Sequence, residues 1–417
     1  MSRPPRPLTG RTDSAQMRAA NMGLILRHLR AQGARSRAKL AVETGLAKAT
    51  ISSLVGDLAE LGLVCEGTAD RNGTVGRPGL KVEVDGGRVC GLGAEINVDY
   101  LSLAAVDAAG AAITDVTIPM AVDDVSVDEV LDRLCSMITE VLEDVRRRGM
   151  WVSSLTIAPP GIIDYNEGSV RFAPNIGWRA VPIVSEIRRR LGPGAPAIHL
   201  ENDAKLSALA EYATYEPKGV RDLLYVTGDM GVGVGIVADG SLVRGWSGFS
   251  GEVGHLPLDP ENRPCNCGRT GCWETIVGLA ALLRLAGDDG DEIHDSTRPI
   301  EDRLTLIRTR ADSGDERTIA ALDQVTADLA RGLGILIDVL NPKVIVLGGY
   351  FTFLADHVIP PLAEELARRR MDEGSAVELA ASTLGITSAA YGGAIVALER
   401  VFEDPTIVPP REIPAHA

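Results

Sequence analysis

The sequence predicts an α/β protein in two unequal parts, a small helical head followed by a larger body in which strands alternate with helices. Helical three-and-four spacing of apolar residues runs from Ser14 to Leu61, whereas from Arg88 onward short apolar strands recur between longer helical stretches. The charge divides at the same place. Residues 1–84 hold 13 Lys or Arg against 7 Asp or Glu, a net of +6, so in a chain whose total is −15 the remainder carries −21. A basic head on an acidic body points to a polyanion as the head's partner. At 417 residues the chain has length for two or three domains with a buried core.

Residues 1–12 are rich in Pro and Arg and are expected to form a mobile arm. Asp13 or Ser14 then caps a helix whose Met22, Ile25, Leu26 and Leu29 share one face. Ser36 caps a short second helix through Leu40 and Glu43, and Gly45 supplies the tight turn after it. The third helix, over 48–61, repeats the pattern with Ile51, Leu54, Val55 and Leu58. Together these predict a helix-turn-helix. Lys48, Thr50, Ser52 and Ser53 face outward from the third helix's first turns, short polar groups and one cation that fit a major groove. Val64-Cys65-Glu66, a turn at Arg71-Asn72-Gly73 and Leu80 to Val84 predict a hairpin wing, with Arg77 placed to reach a minor groove. The head over 13–84 thus reads as a winged helix-turn-helix; the periodicity alone is equally that of any small helical bundle, and the local positive charge adds weight to double-stranded operator DNA as its partner.

In the body, Val89 to Ile96, Tyr100 to Val106 and Ala111 to Ile118 predict three strands, followed by a helix over 127–148 and a strand from Ser154 to Ala158. His199-Leu200 leads into Glu201-Asn202-Asp203-Ala204 at a helix start. Leu223 to Val226 is a buried strand ahead of a glycine run, and Val344 to Leu347 is another that enters Gly348-Gly349. Helices are expected from about Thr275 and Arg303 and over 317–340. A last helix over 389–402 is expected to cross back to the first part of the body, before a Pro-rich tail at 406–417. No run of eighteen apolar residues occurs and the first residues lack an apolar signal core, so a cytoplasmic location without membrane contact is expected. Cys65, Cys90 and Cys135 are expected to be reduced core thiols.

Cys265, Cys267 and Cys272 lie within eight residues, with His255 ten positions upstream of the first, in a Pro-, Gly- and Asn-rich segment unsuited to regular structure. Three thiolates and one imidazole make a closed tetrahedral set, the ligand set of a structural Zn2+. A disulfide with one thiol left over is the alternative, and an acidic chain without a signal core weighs against it. A closed set leaves no position for a reacting water, so such a metal is a staple. Closing the loop brings Glu252 and Glu274 near one another, and paired carboxylates suit the vicinal hydroxyls of a sugar. Without the metal, two solvated loop glutamates are the simpler reading.

The run Gly251-Glu252-Val253-Gly254-His255, then Cys265-Asn266-Cys267-Gly268 and Gly271-Cys272-Trp273-Glu274, resembles the signature of the ROK family, bacterial sugar-responsive repressors and sugar kinases. The resemblance implies that His255 and the three cysteines hold zinc and that Glu252, His255 and Glu274 line a sugar pocket. Glu201-Asn202-Asp203-Ala204 resembles the family's Asn-Asp-Ala segment, which adds Asn202 and Asp203 to the sugar set. Asp203 stands at the position of the kinase members' general base; taken alone, it reads as a helix N-cap. Pro160-Gly161 and Ala173 to Trp178 resemble loops at the sugar cleft. The implied fold is a two-lobed actin-like, ribonuclease-H-like body after the winged head. Its first lobe would comprise 88–200 plus 385–405, and its second 201–384 with the zinc loop.

Kinase members carry an Asp-x-Gly-Gly-Thr phosphate loop, where this chain has Glu95-Ile96-Asn97-Val98-Asp99, and Gly-Thr-Gly, where it has Asp229-Met230-Gly231. The paired glycines of the first loop are missing, and Asp99 and Asp229 add charges that repel phosphate. The expectation is a repressor without catalytic residues that responds to a sugar or to a phosphorylated or acylated sugar derivative, acting as a homodimer or a dimer of dimers on paired half-sites. The alternatives are an active sugar kinase with a DNA-binding head and a protein-binding scaffold without a sugar.

Overall fold

The computed structural model describes residues 14–69, 80–369 and 376–410. The arm at 1–12, the turn at Arg71-Asn72-Gly73, and Arg77 lie outside the described residues.

The head contains α1 (Ser14–Gln32), α2 (Arg37–Thr44) and α3 (Lys48–Glu60). Ser36 caps α2 by accepting the Lys39 amide, and Gly45 ends it in the left-handed region at φ 72°. Strands β1 (Arg35–Ser36), β2 (Val64–Ala69) and β3 (Leu80–Val84) form a sheet in the order β1-β3-β2, antiparallel throughout. The apolar faces of the three helices meet Leu63, Val64 and Val82 in one core. Cys65 departs from expectation: it is exposed on β2, because alternation along the strand turns it away from the core that holds Val64. Cys90 and Cys135 are buried, and burial pushes their thiols up to about 12 and about 11.

The body then builds β4 (Val89–Ile96), β5 (Tyr100–Asp107), β6 (Ala112–Pro119), α4 (Val127–Arg147) and β7 (Trp151–Ala158). A small sheet of β8 (Ile162–Asp164), β9 (Ser169–Ala173) and β10 (Trp178–Val181) follows, then α5 (Ile183–Leu191), β11 (Ala197–Leu200) and α6 (Asp203–Tyr215). The second large sheet uses β12 (Leu223–Gly228), β13 (Val232–Ala238) and β14 (Ser241–Leu242). It is followed by α7 (Glu274–Val277), α8 (Leu279–Ala286), α9 (Ile300–Asp312), α10 (Glu316–Leu340), β15 (Val344–Gly349), α11 (Tyr350–Phe353), α12 (Ala355–Arg368) and β16 (Glu378–Ala381). The chain returns through α13 (Ser388–Glu403).

The two five-stranded sheets share one topology. Their orders are β11-β7-β4-β5-β6 and β14-β13-β12-β15-β16; each has an antiparallel meander with two parallel strands added beside its first strand. This repeat is the two-lobed, ribonuclease-H-like arrangement. The parallel and central strands β4, β12 and β15 are buried along their whole length.

Helix α13 lies against β4 and β7 of the first lobe, against α6, and against α1 of the head. Its approach to β4 is so close that a Cβ on Gly93 would fall 1.9 Å from the Ala390 carbonyl oxygen. The glycine run after β12 is likewise mostly packing: Gly233 and Gly235 lie inside β13, and a Cβ on Gly235 would stand 2.3 Å from that of Ala208 on α6.

The head is not a separate core. Its apolar residues form one cluster with Val106, Ala394, Leu398, Val401 and Phe402 of the body. Val408 belongs to the same cluster at 2% exposure, and Arg88 Nη2 donates to the Pro409 carbonyl at 2.7 Å. The tail expected from residue 406 is therefore anchored at Val408, between exposed neighbours, because that apolar side chain found a groove beside α1 and α13.

Candidate functional site

A cavity of about 310 Å³ opens between the lobes, and all five residues expected to bind sugar line it: Asn202, Asp203, Glu252, His255 and Glu274. They arrive from three places. Asn202 and Asp203 open α6 where β11 ends, Glu252 and His255 follow β14, and Glu274 begins α7. Distant stretches of sequence thus meet only because the lobes face one another.

Asn202 is the N-cap of α6. Its Oδ1 accepts the Lys205 amide at 3.1 Å and its Nδ2 donates to the Gly161 carbonyl at 3.2 Å. Asp203 is thereby excluded as the cap; it occupies the first helical position, with Oδ1 accepting the Ala204 amide at 2.8 Å. Burial, reinforced by Asp229 and Glu252, pushes its carboxyl up to about 7. Asp229 is pushed up to about 6, first by burial and with Asp99 adding, against the Thr227 hydroxyl that donates to it. Glu95 behind them is held well above the ordinary carboxylate range by burial and by these two acids; the Tyr100 hydroxyl bonds it at 2.9 Å. Burial also raises Glu252, against the pull of His255 and Lys205.

The loop after Glu252 closes on itself. Pro257 bridges to Cys272 and Pro264 to Thr270, and the buried Asp259 carboxylate ties it together through Arg263 and the Thr275 hydroxyl. His255, Cys265, Cys267 and Cys272 then present one donor atom each, all within 4.8 Å of one another. Cys267 Sγ lies 3.7 Å from Cys272 Sγ, and Cys265 Sγ lies 3.7 Å from His255 Nδ1. A tetrahedral zinc with bonds of about 2.3 Å has edges of about 3.7 Å, which these two separations match, and the remaining donors lie within 4.8 Å. Burial opposes a thiolate at Cys267, but Arg269 Nε, donating at 3.4 Å, wins and holds that thiol below its usual value. On the other edge of the imidazole, His255 Nε2 lies 3.8 Å from Glu252 Oε2, while Glu274 Oε1 lies 3.5 Å from Nδ1 on the cysteine side. The loop that gathers the donors also aims both glutamates into the cavity.

Sequence reasoning missed the supports. Glu201 accepts from Tyr165 Oη at 2.6 Å and from Arg244 Nε at 2.7 Å, and the buried Lys205 donates from Nζ to the Gly248 carbonyl at 2.6 Å. Phe172, Asn175, Met230 and Phe249 complete the wall. Asn175 carried a signal through its place in the Ala173 to Trp178 loop, Met230 through Asp229-Met230-Gly231 and Glu201 through its place before Asn202; Tyr165, Lys205, Arg244, Phe172 and Phe249 carried none, because isolated charged or aromatic residues have no readable partner in one dimension.

The Glu95 to Asp99 turn contains one correction. Asp99 does not offer a bare charge to the cleft, because Arg303 of α9, itself buried, donates to its Oδ1 at 3.3 Å. The acidic side chain is matched by a guanidinium that also donates to the Ile293 carbonyl.

On the head, Lys48, Ser52 and Ser53 are exposed and Thr50 is partly so. The Ser53 hydroxyl accepts from Arg18 Nη2 at 2.9 Å, and Arg18 also donates from Nε to Asp57 at 2.7 Å, which ties α1 to α3. These side chains sit on a different element from the cavity, as expected.

The ROK family model matches residues 92–400. The xylose repressor of Bacillus subtilis strain 168 is 27% identical over 395 residues, which cover 94% of this chain and 98% of that protein. A glucokinase of Halalkalibacterium halodurans is 32% identical over 247 residues, covering 57% of this chain and 73% of the enzyme. Among solved structures, a ROK family transcriptional regulator described as a homolog of the E. coli MLC protein superposes with a TM-score of 0.73 at 25% identity, over 93% of this chain and 97% of that one. No helix among the described residues is long and apolar enough to cross a membrane. The chain belongs to the ROK family.

Proposed function

We propose that this protein is a sugar-responsive, DNA-binding transcriptional repressor whose body senses carbohydrate without phosphorylating it. The observation that carries the reading is the reach of the similarity: the B. subtilis repressor matches 94% of the chain, head included, whereas the H. halodurans glucokinase matches 57%. In this reading Asn202, Asp203, Glu252, His255 and Glu274 bond the sugar's hydroxyls, while zinc, held by His255 and the three cysteines, fixes the loop that carries three of the five.

Two features of the cleft support a sensor over a kinase. The turn at Asn97 to Asp99 has no paired glycines to admit phosphate, and its polar groups are already engaged by Glu95, Tyr100 and Arg303. A triphosphate would also meet the carboxyl of Asp229, which stands where kinase members have the first glycine of Gly-Thr-Gly.

Helix α13 gives the route to DNA. It touches both lobes and carries the head on its far end, so a change in the angle between the lobes moves the head directly. Lys48, Thr50, Ser52 and Ser53 would read a major groove and Arg77 a minor one, in a dimer whose two heads meet paired half-sites.

The test is a thermal-shift screen of sugars followed by DNA gel shifts at fixed salt. A sugar that raises the melting temperature and changes operator affinity, without ADP release from ATP, supports the reading. Sugar-dependent ADP release that disappears in Asp203→Asn would establish a kinase. Sugar heats unaffected by Glu252→Ala, with zinc retained, would remove the cavity from the account.

A further inference from the structure

The chain has 5 Phe, 4 Trp and 7 Tyr, all within the described residues. Three of these rings are exposed: Tyr165 at 36%, Phe249 at 47% and Trp246 completely. They belong to one place. Phe249 lines the cavity, Trp246 stands three residues before it in the turn closed by Ser250 N donating to the Arg244 carbonyl, and the Tyr165 ring packs against Gly248 between them. Gly248 is at φ 80°, and a Cβ there would fall 2.8 Å from the Tyr165 ring.

The turn is held down by charged groups. Lys205, 2% exposed, donates to the Gly248 carbonyl at 2.6 Å, and Arg244 bonds Glu201 at 2.7 Å. Glu201 also fixes the Tyr165 hydroxyl at 2.6 Å. Glu201 and Lys205 flank Asn202 and Asp203, so the segment that supplies the cavity floor also anchors the aromatic turn. Burying an ammonium is costly unless it is bonded, and here that bond places an otherwise irregular turn beside the pocket.

We propose that Trp246, Phe249 and Tyr165 form an outer carbohydrate subsite, so that the effector is a glycoside of two or more rings, one inside the cavity and the next on the aromatic platform. The inference rests on the reading of the cavity as a sugar pocket. A cavity of about 310 Å³ lies at the small end of ligand pockets and suits a single ring. Sugar rings present C–H faces that stack on aromatic faces, and the bonds to the Gly248 and Arg244 carbonyls hold in place the turn that carries Trp246 and Phe249. A second protein copy needs far more surface: three partly exposed rings offer a few hundred Å² at most, against about 800 Å² per partner in a stable interface.

The experiment is calorimetric titration of the zinc-loaded full chain with glucose, xylose, galactose and N-acetylglucosamine, then with cellobiose, xylobiose, maltose, lactose, sucrose and trehalose. At least one disaccharide is expected to bind about tenfold tighter than its component monosaccharide, and Trp246→Ala should remove that gain while leaving the monosaccharide within about twofold. Trp246→Phe should keep part of the gain. The fully exposed position makes a folding defect in these variants unlike the expected result, and far-ultraviolet dichroism checks it. Equal affinity for both classes, a gain that survives Trp246→Ala, or equal weakening of both ligands would overturn the subsite. So would dissociation of an oligomer by Trp246→Ala in sedimentation, since a second copy would then cover the rings. If no carbohydrate of either class binds the unaltered protein, the sugar-pocket reading fails first and takes this inference with it.

Discussion

Replacing Asp203 by Asn should stabilise the protein at alkaline pH and weaken its hold on sugar. The carboxyl is displaced from 3.8 to about 7, chiefly by burial. A displacement of about three units at about 1.4 kcal/mol each amounts to about 4 kcal/mol. Because the native state keeps this proton longer than the unfolded chain does, the penalty is absent below pH 3.8, grows as pH rises, and is complete above about pH 7. Asn removes the ionisation but retains an oxygen for the Ala204 amide. Urea unfolding should therefore find Asp203→Asn more stable than the unaltered protein by up to about 4 kcal/mol at pH 8, and by about 1.5 kcal/mol at pH 5. A favourable interaction of the carboxylate with the α6 dipole works in the opposite direction, but is worth only about 0.3–1 kcal/mol, so burial wins. Sugar affinity should fall in the same variant, as expected where a binding residue is kept at the expense of stability. A variant less stable than its parent at pH 8, or a difference that does not change with pH, would refute the argument and return Asp203 to the role of an ordinary helix-start residue.

Cys267→Ser should lower the bound zinc, measured by mass spectrometry, from one per chain towards none, and sugar heats should vanish with it because the loop that aims Glu252 and Glu274 is released. Lys205→Met removes the bond to the Gly248 carbonyl while keeping an unbranched apolar chain one atom shorter; sugar dissociation constants should rise about tenfold at unchanged zinc content, and limited proteolysis should cut faster within 244–251. Lys48→Ala should weaken operator binding to a similar degree on specific and unrelated DNA and reduce the salt slope by about 1, measured by gel shift at several ionic strengths. An unchanged slope would place Lys48 away from the phosphates.

The local elements were written in the sequence because their causes are local. Apolar spacing marked α1 to α3, Ser36 and Gly45 bounded α2, alternating runs located β4 to β7, and buried apolar runs located β12 and β15, whereas β13, read as a glycine run, and β14 and β16 were not marked. The zinc loop was legible for the same reason, since three of its four ligands fall within eight residues. The family signature then linked that loop to Asn202 and Asp203, which no spacing rule would have joined. What stayed hidden depended on which surfaces face each other. Only the folded lobes show Arg303 neutralising Asp99, Lys205 reaching across to Gly248, and Asn202 taking the cap that Asp203 was offered. Only packing shows that the head, α13 and Val408 share one core. Periodicity and turn chemistry act through neighbours along the chain, so a sequence determines them by itself; burial, charge pairing and the packing of the Tyr165 ring on the turn that carries Trp246 and Phe249 are decided by contacts between distant segments, and exist only once the tertiary structure has formed.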